Sequence, residues 1–310
     1  MPILVNLPAF GIVMLITWLL LRGARESSTV NTAMVLVKLA VLSLFIAVGV
    51  KNLNPANYTP FAPNGFTGIH QGAAIVFFAY IGFDAISTAA EETRNPQRNL
   101  PIGILGGLTV CTLIYVVVGI VLTGLVPYGE LAVADPLARA LEIAGFTRVG
   151  WIVALGAAVS MATVLLVFQY GQPRIFFAMA RDGLLPSWAA HVDRKTRVPS
   201  VTTLITGVIV GLASMVGDAA ETYDLTNIGT LFAFALVCAG VMVLRIKEPG
   251  RPRPFEVPFV RITAPLGILA CGFVMLGLPY QAWERFVLWI VVGLAIYILY
   301  GYGHSQLRQT

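Results

Sequence analysis

The chain has 310 residues, 57% of them hydrophobic and only 11% charged, with a formal net charge of +5. A soluble domain carries about 25% charge, so a soluble protein is excluded, and recurring apolar runs of about 20 residues define an all-α polytopic membrane protein. The basic excess belongs to loops facing anionic lipid and cytoplasm and gives no sign of a nucleic-acid partner.

Nine spans are predicted in chain order. The first covers residues 3–21 and is closed by Arg22 and Arg25. The second, 30–50, contains Lys38. A Pro/Asn-rich connection leads to the third, which starts near Ile69 and reaches Glu92. Gly72 and Gly82 are expected to interrupt it, because glycine costs about 1 kcal/mol in a helix interior and lipid tolerates no unsatisfied amide. Asp84, Ser87, Thr88, Glu91 and Glu92 follow at helical spacing and would form one polar stripe. A hydrophobic half followed by a polar half is the pattern of a discontinuous helix lining a solute pathway.

The fourth span, 102–126, places Pro101 in its first turn. Asp135 and Pro136 cap a short loop helix, LARALEIA. The fifth span begins near Val149 and continues past Tyr170. The remaining spans fall at 201–216, 225–244, 262–278 and 286–302. Gly103 and Gly107, and Gly207 and Gly211, have the GxxxG spacing of close helix packing.

Charge orients the spans. With alternating sides, fifteen Lys and Arg fall in segments on one face and four on the other, and Lys38 is the remaining one of 20. The positive-inside rule then puts the N-terminus outside and the C-terminus in the cytoplasm. Met1 lies directly against an outward-starting span, and nine is an odd number for paired repeats. The expectation is therefore that spans are missing at the front.

Two intramembrane charges stand out. Lys38 is about eight residues, roughly 12 Å, inside its helix, where a lysine costs about 2.5–3.5 kcal/mol. An amine in a dry site titrates readily and can serve as a fixed counter-ion or a proton carrier. Asp84 can pair with a cation or line water. The three cysteines are scattered and the three histidines form no cluster, so neither a disulfide framework nor a metal site is expected. HExxH, GxSxG, P-loop and kinase signatures are absent. The expectation is a non-enzyme with no cofactor.

The stretch FFAYIGFDAISTAAEETRNPQRNLPIGI resembles the sixth span and following loop of amino acid permeases in the amino acid–polyamine–organocation superfamily, in the branch of the cationic amino acid transporters. QPRIFFAMARDGLLP and RPRPFEVPFVRITAPLGIL are similar to that branch's eighth span and its loop between spans ten and eleven. The resemblance implies an inverted-repeat (5+5) transporter fold. Residues 1–310 would form a single membrane transport domain, N-terminally truncated to family spans four to twelve, with no soluble domain.

It also implies a secondary active amino acid transporter of the cell membrane that works by alternating access, with an amino acid, protons and the bilayer as partners. The substrate amine would meet carbonyls at the break around Phe78, Ala79 and Ile81. Phe78 would gate, Ala74 and Ile81 would line the pocket, and Asp84 would lie on its inner side. Lys38 matches a lysine that stands in for sodium in sodium-coupled relatives, which implies proton coupling. The alternative reading is a truncated, non-transporting fragment, because the half of the site that takes the substrate carboxylate belongs to the absent first span.

Overall fold

A computed structural model describes residues 6–88, 90, 93–193, 196, 198–215, 219–253 and 255–305. Six helices among them are long and apolar enough to cross a membrane, and three shorter apolar helices join them at Leu7–Arg22, Ser200–Ser214 and Val260–Met275. These nine coincide with the nine predicted spans. The described residues form helices joined by turns and irregular loops, with no strand among them. The chain divides into two compact units, residues 1–61 with 108–216, and residues 62–107 with 217–310.

The first unit is built on α1 (Leu7–Arg22), α2 (Ala24–Gly49), α7 (Thr147–Arg181) and α8 (Ser200–Ser214). The end of α5 (Pro96–Leu125) and the loop helix α6 (Pro136–Ile143) complete it. α6 forms as the sequence predicts: Asp135 accepts the Ala138 N–H at 3.4 Å and Pro136 occupies the first turn. Phe45, Val121, Val126, Leu141 and Val153 form the apolar centre.

A second centre is polar. Gln169 donates to the Thr17 hydroxyl at 3.2 Å, and that hydroxyl donates to the Val13 carbonyl at 2.8 Å. Both side chains are almost fully buried. Large apolar side chains point outward instead, Leu155 at 67% and Trp151 at 70% exposure. Lipid is as apolar as leucine, so helix contacts in a membrane select small and hydrogen-bonding residues.

Gly207 and Gly211 show this selection. A Cβ on Gly207 would sit 2.2 Å from the Thr17 hydroxyl oxygen, and one on Gly211 would sit 3.0 Å from the Phe10 ring. The other predicted pair differs. The nearest atom to a Cβ on Gly103 is Ile86 Cγ2 at 3.9 Å, and Gly107 has no neighbour within 4 Å. GxxxG spacing identifies a small-residue ridge but not whether a partner helix occupies it.

The second unit contains α3 (Gly65–Tyr80), α4 (Ala85–Thr88), the start of α5, α9 (Ala219–Lys247), α10 (Val260–Met275) and α11 (Tyr280–Ile296). α11 continues through a π-turn at Tyr297–Gly301. Ala74, Ile228, Leu231, Met275, Leu278 and Ala282 form its core.

Two expectations are corrected here. Pro101 is not in a first turn. The helix opens at Pro96, and the Asn95 carbonyl accepts the Arg98 and Asn99 amides at 3.1 and 3.0 Å. Pro96 has the pre-set φ that suits a first turn, which leaves Pro101 inside the helix. Gly72 does not interrupt α3, which runs unbroken from Gly65 to Tyr80. A cost of about 1 kcal/mol is smaller than that of losing helical hydrogen bonds in lipid.

Gly207→Ala is expected to lower stability by about 1–3 kcal/mol through overpacking against Thr17, while Gly107→Ala is neutral or gains up to about 1 kcal/mol of helix propensity. Thermal unfolding of the two purified variants in detergent checks the contrast.

Candidate functional site

The helix α3 ends where its sequence loses the means to continue. Ile81 turns extended (φ −61°, ψ 134°), and Gly82 follows at φ +124°, a region that favours glycine. The Ile81 N–H takes the Phe78 carbonyl at 3.2 Å, and the Gly82 N–H takes an Asp84 carboxylate oxygen at 3.1 Å. The Gly82 carbonyl accepts from Ala85 at 3.1 Å, and the Asp84 carbonyl accepts the Ser87 N–H and hydroxyl at 2.9 and 2.6 Å. The discontinuous third span is therefore present, with its non-helical segment at 81–84.

The expected polar stripe takes a different form. Asp84 sits in the turn, not on a helix, because a short carboxylate competes with the backbone for its own neighbourhood's N–H groups. Of the other members, Ser87 lies on α4, which is four residues long. Glu91, Glu92 and the Thr88 side chain lie outside the described residues.

Phe78, Ala79, Ile81 and Asp84 come together at the break as neighbours along the chain. Phe78 is 37% exposed, and its ring lies 4.4 Å from that of Tyr223 on α9. Phe83 packs on Phe234 at 5.1 Å. Ala79 is exposed, and Ile81 and Asp84 are half-buried. Ala74 lies further down α3 and is fully buried. Its carbonyl accepts the Asn227 side-chain amide at 3.1 Å. A helix C-terminus is the negative end of the helix dipole and favours a cation, so this end of α3 suits an ammonium group.

Tyr223 and Asn227 are functional candidates that the sequence reading missed. They are four residues apart on α9, so they share a face. Asn227 is 1% exposed, and its Oδ1 has no partner among the described residues. The available signal was a lone amide inside an apolar run, since intramembrane polar groups are costly and retained for a reason.

Lys38 belongs to the first unit. It is half-buried on α2, one turn before Val41, whose methyl groups would lie 2.6 Å from a Cβ on Gly156 of α7. Lys38, Val41 and Phe45 therefore share the packed face of α2. No ion pair or hydrogen bond of Lys38 occurs among the described residues.

The family model described as amino acid permease matches residues 2–299. The chain belongs to the amino acid permease family. It is 47% identical to the branched-chain amino acid permease BcaP of Bacillus subtilis over 99% of its own length and 66% of that protein's. It is 43% identical to the methylthioribose transporter of the same organism, over 98% of its length and 66% of the relative's. Cationic amino acid transporter 9, chloroplastic, of Arabidopsis thaliana is 31% identical over 97% of this chain and 64% of that protein. The chain thus spans just under two thirds of the length of these curated relatives. They are permeases and transporters, not enzymes, and with the apolar helices they place this permease-family chain among multi-pass membrane proteins of the amino acid–polyamine–organocation superfamily.

Gly82→Ala is expected to cost about 1–3 kcal/mol, because an L side chain is strained at this φ. Asn227→Ala is expected to cost about 0.6–1.7 kcal/mol by removing an interhelical hydrogen bond in a membrane. Urea or thermal unfolding in detergent reads both, and an Asn227→Ala value near zero would show that the bond to Ala74 carries no net stability.

Proposed function

We propose that this permease is a proton-coupled secondary transporter of amino acids working by alternating access. The observation that carries the reading is the break at 81–84, which ends α3 in a turn held by Gly82 and Asp84 beside the exposed ring of Phe78. In this reading the substrate ammonium binds at the C-terminal end of α3, where carbonyl groups accumulate and the dipole is negative. Phe78, with Tyr223 against it, closes over the substrate. Ala79 and Ile81 line the same end, and Ala74 sets the floor by fixing α3 on α9.

The substrate proposed is a neutral, branched aliphatic amino acid. One Asp84 oxygen is engaged by the Gly82 N–H, which suits holding the turn better than neutralising a cationic side chain. A relative at 47% identity is named a branched-chain amino acid permease, which agrees. Lys38 is the proposed proton carrier: its side chain is half-buried on the packed face of α2, and no fixed counter-ion for it occurs among the described residues. The Lys and Arg distribution supports an outside N-terminus and a cytoplasmic C-terminus in the cell membrane.

Proteoliposomes of this chain are expected to accumulate labelled leucine under an inward proton gradient, with arginine and methylthioribose taken up poorly. Preferred uptake of arginine would overturn the substrate assignment, and preferred methylthioribose would move the chain to the other relative's chemistry. Lys38→Ala is expected to keep leucine exchange but lose the response to the gradient. Gradient-driven accumulation by that variant would remove Lys38 from the coupling step.

A further inference from the structure

The loop joining α9 to α10 carries charge that the transport reading does not use. Residues 245–261 hold five Lys and Arg against two Glu. Two of the cations are committed. Arg251 pairs with Glu248 at 3.0 Å. Arg253 donates to the Leu244, Glu248, Pro249 and Arg251 carbonyls at 2.6–3.2 Å. Those bonds tie off the C-terminal end of α9 and hold the loop in one shape.

The others are available. Arg245 reaches Glu256 only at 3.7 Å, and that glutamate is 66% exposed. Lys247 and Arg261 make no hydrogen bond or ion pair among the described residues. Arg245 and Arg261 line a cleft of about 710 Å³ whose other walls are Met242, Ile246, Pro249 and Val260. Met242, Arg245 and Ile246 repeat at helical spacing, so the last turns of α9 present one side to the cleft, and Pro249 continues that wall in the loop. Beside it, Ile246 is 76%, Phe259 80% and Ile262 61% exposed.

We propose that this cleft binds the headgroup of an anionic phospholipid, with the phosphate between Arg245 and Arg261 and an acyl chain along Met242, Ile246 and Val260. Charge complementarity selects an anion, and the apolar walls select one attached to a hydrocarbon chain. A free phosphate would leave the apolar walls facing water. The loop lies on the side where the chain concentrates its cations, which is the side of the anionic leaflet. Neighbouring exposed apolar side chains are then at the depth of lipid rather than of solvent. Arginine suits the role because its planar fork bonds phosphate oxygens in pairs.

Native mass spectrometry of the full chain in mild detergent, titrated with phosphatidylglycerol or phosphatidylcholine, tests this. Phosphatidylglycerol is expected to be retained in preference to phosphatidylcholine. Arg245→Gln and Arg261→Gln are each expected to weaken its binding about fivefold. Arg245→Lys and Arg261→Lys should recover part of the loss, which a collapsed cleft would not. Arg139→Gln, at an exposed pair in the first unit, should bind as the parent does. Equal retention of the two lipids, unchanged binding by the double glutamine variant, or full competition by inorganic phosphate would each overturn the proposal. The last of these would make the cleft a free-anion site.

Discussion

One hydrogen bond lets this protein interrupt a membrane helix. In lipid every backbone amide must find a partner inside the protein, and a glycine at positive φ throws several out of register at once. The Asp84 carboxylate accepts the displaced amide of Gly82, and the neighbouring turn bonds take up those of Ile81, Ala85 and Ser87. Without that carboxylate the Gly82 amide would have no hydrogen-bond acceptor among the described residues. Asp84, the charged residue of 81–84, thus has a structural part in the turn.

The rest of the packing follows from the same solvent. Many large apolar side chains, Leu155 and Trp151 among them, face outward here, and glycine, threonine, alanine and amides join the apolar clusters in making the contacts between helices. The Gln169–Thr17 and Asn227–Ala74 bonds add directional links between helices to those apolar clusters. The glycine at 207 lets α8 approach α1 closely enough for Thr17 to be enclosed. Such contacts are individually small but directional, so they fix register as well as distance.

Much of this architecture was readable in the chain. All nine spans stood out because a membrane demands long apolar runs, and Asp135 announced its helix because a cap is a local device. Gly82 was distinguishable from Gly72 only in part. Both cost the helix about the same, and it was the carboxylate two residues on that made one of them a break. Pro101 misled because Pro96, five residues earlier, served the same first-turn role. Asn227 and Tyr223 were not legible as partners of α3, since Asn227 and the carbonyl it binds are separated by 153 positions in sequence. The Gly103–Gly107 pair shows the limit from the other side: spacing fixes a ridge on one helix but says nothing about what lies opposite.

The anchoring of α3 has a mechanical consequence. Its lower half is pinned three times over: His70 bonds the Phe273 carbonyl at 2.6 Å and stacks on that ring, Gly277 fits against Ala74 and His70, and Asn227 holds the Ala74 carbonyl. Residues 81–84 are held by the turn's own bonds and by Phe83 against Phe234, with no hydrogen bond to another helix among the described residues. Torque applied to this span therefore has one compliant joint, at the turn, with a stationary jaw below it and a short lever, α4, above. Two backbone torsions at Gly82 set the angle of that lever without any sliding of the whole helix, which is the kind of joint that the proposed transport cycle calls for.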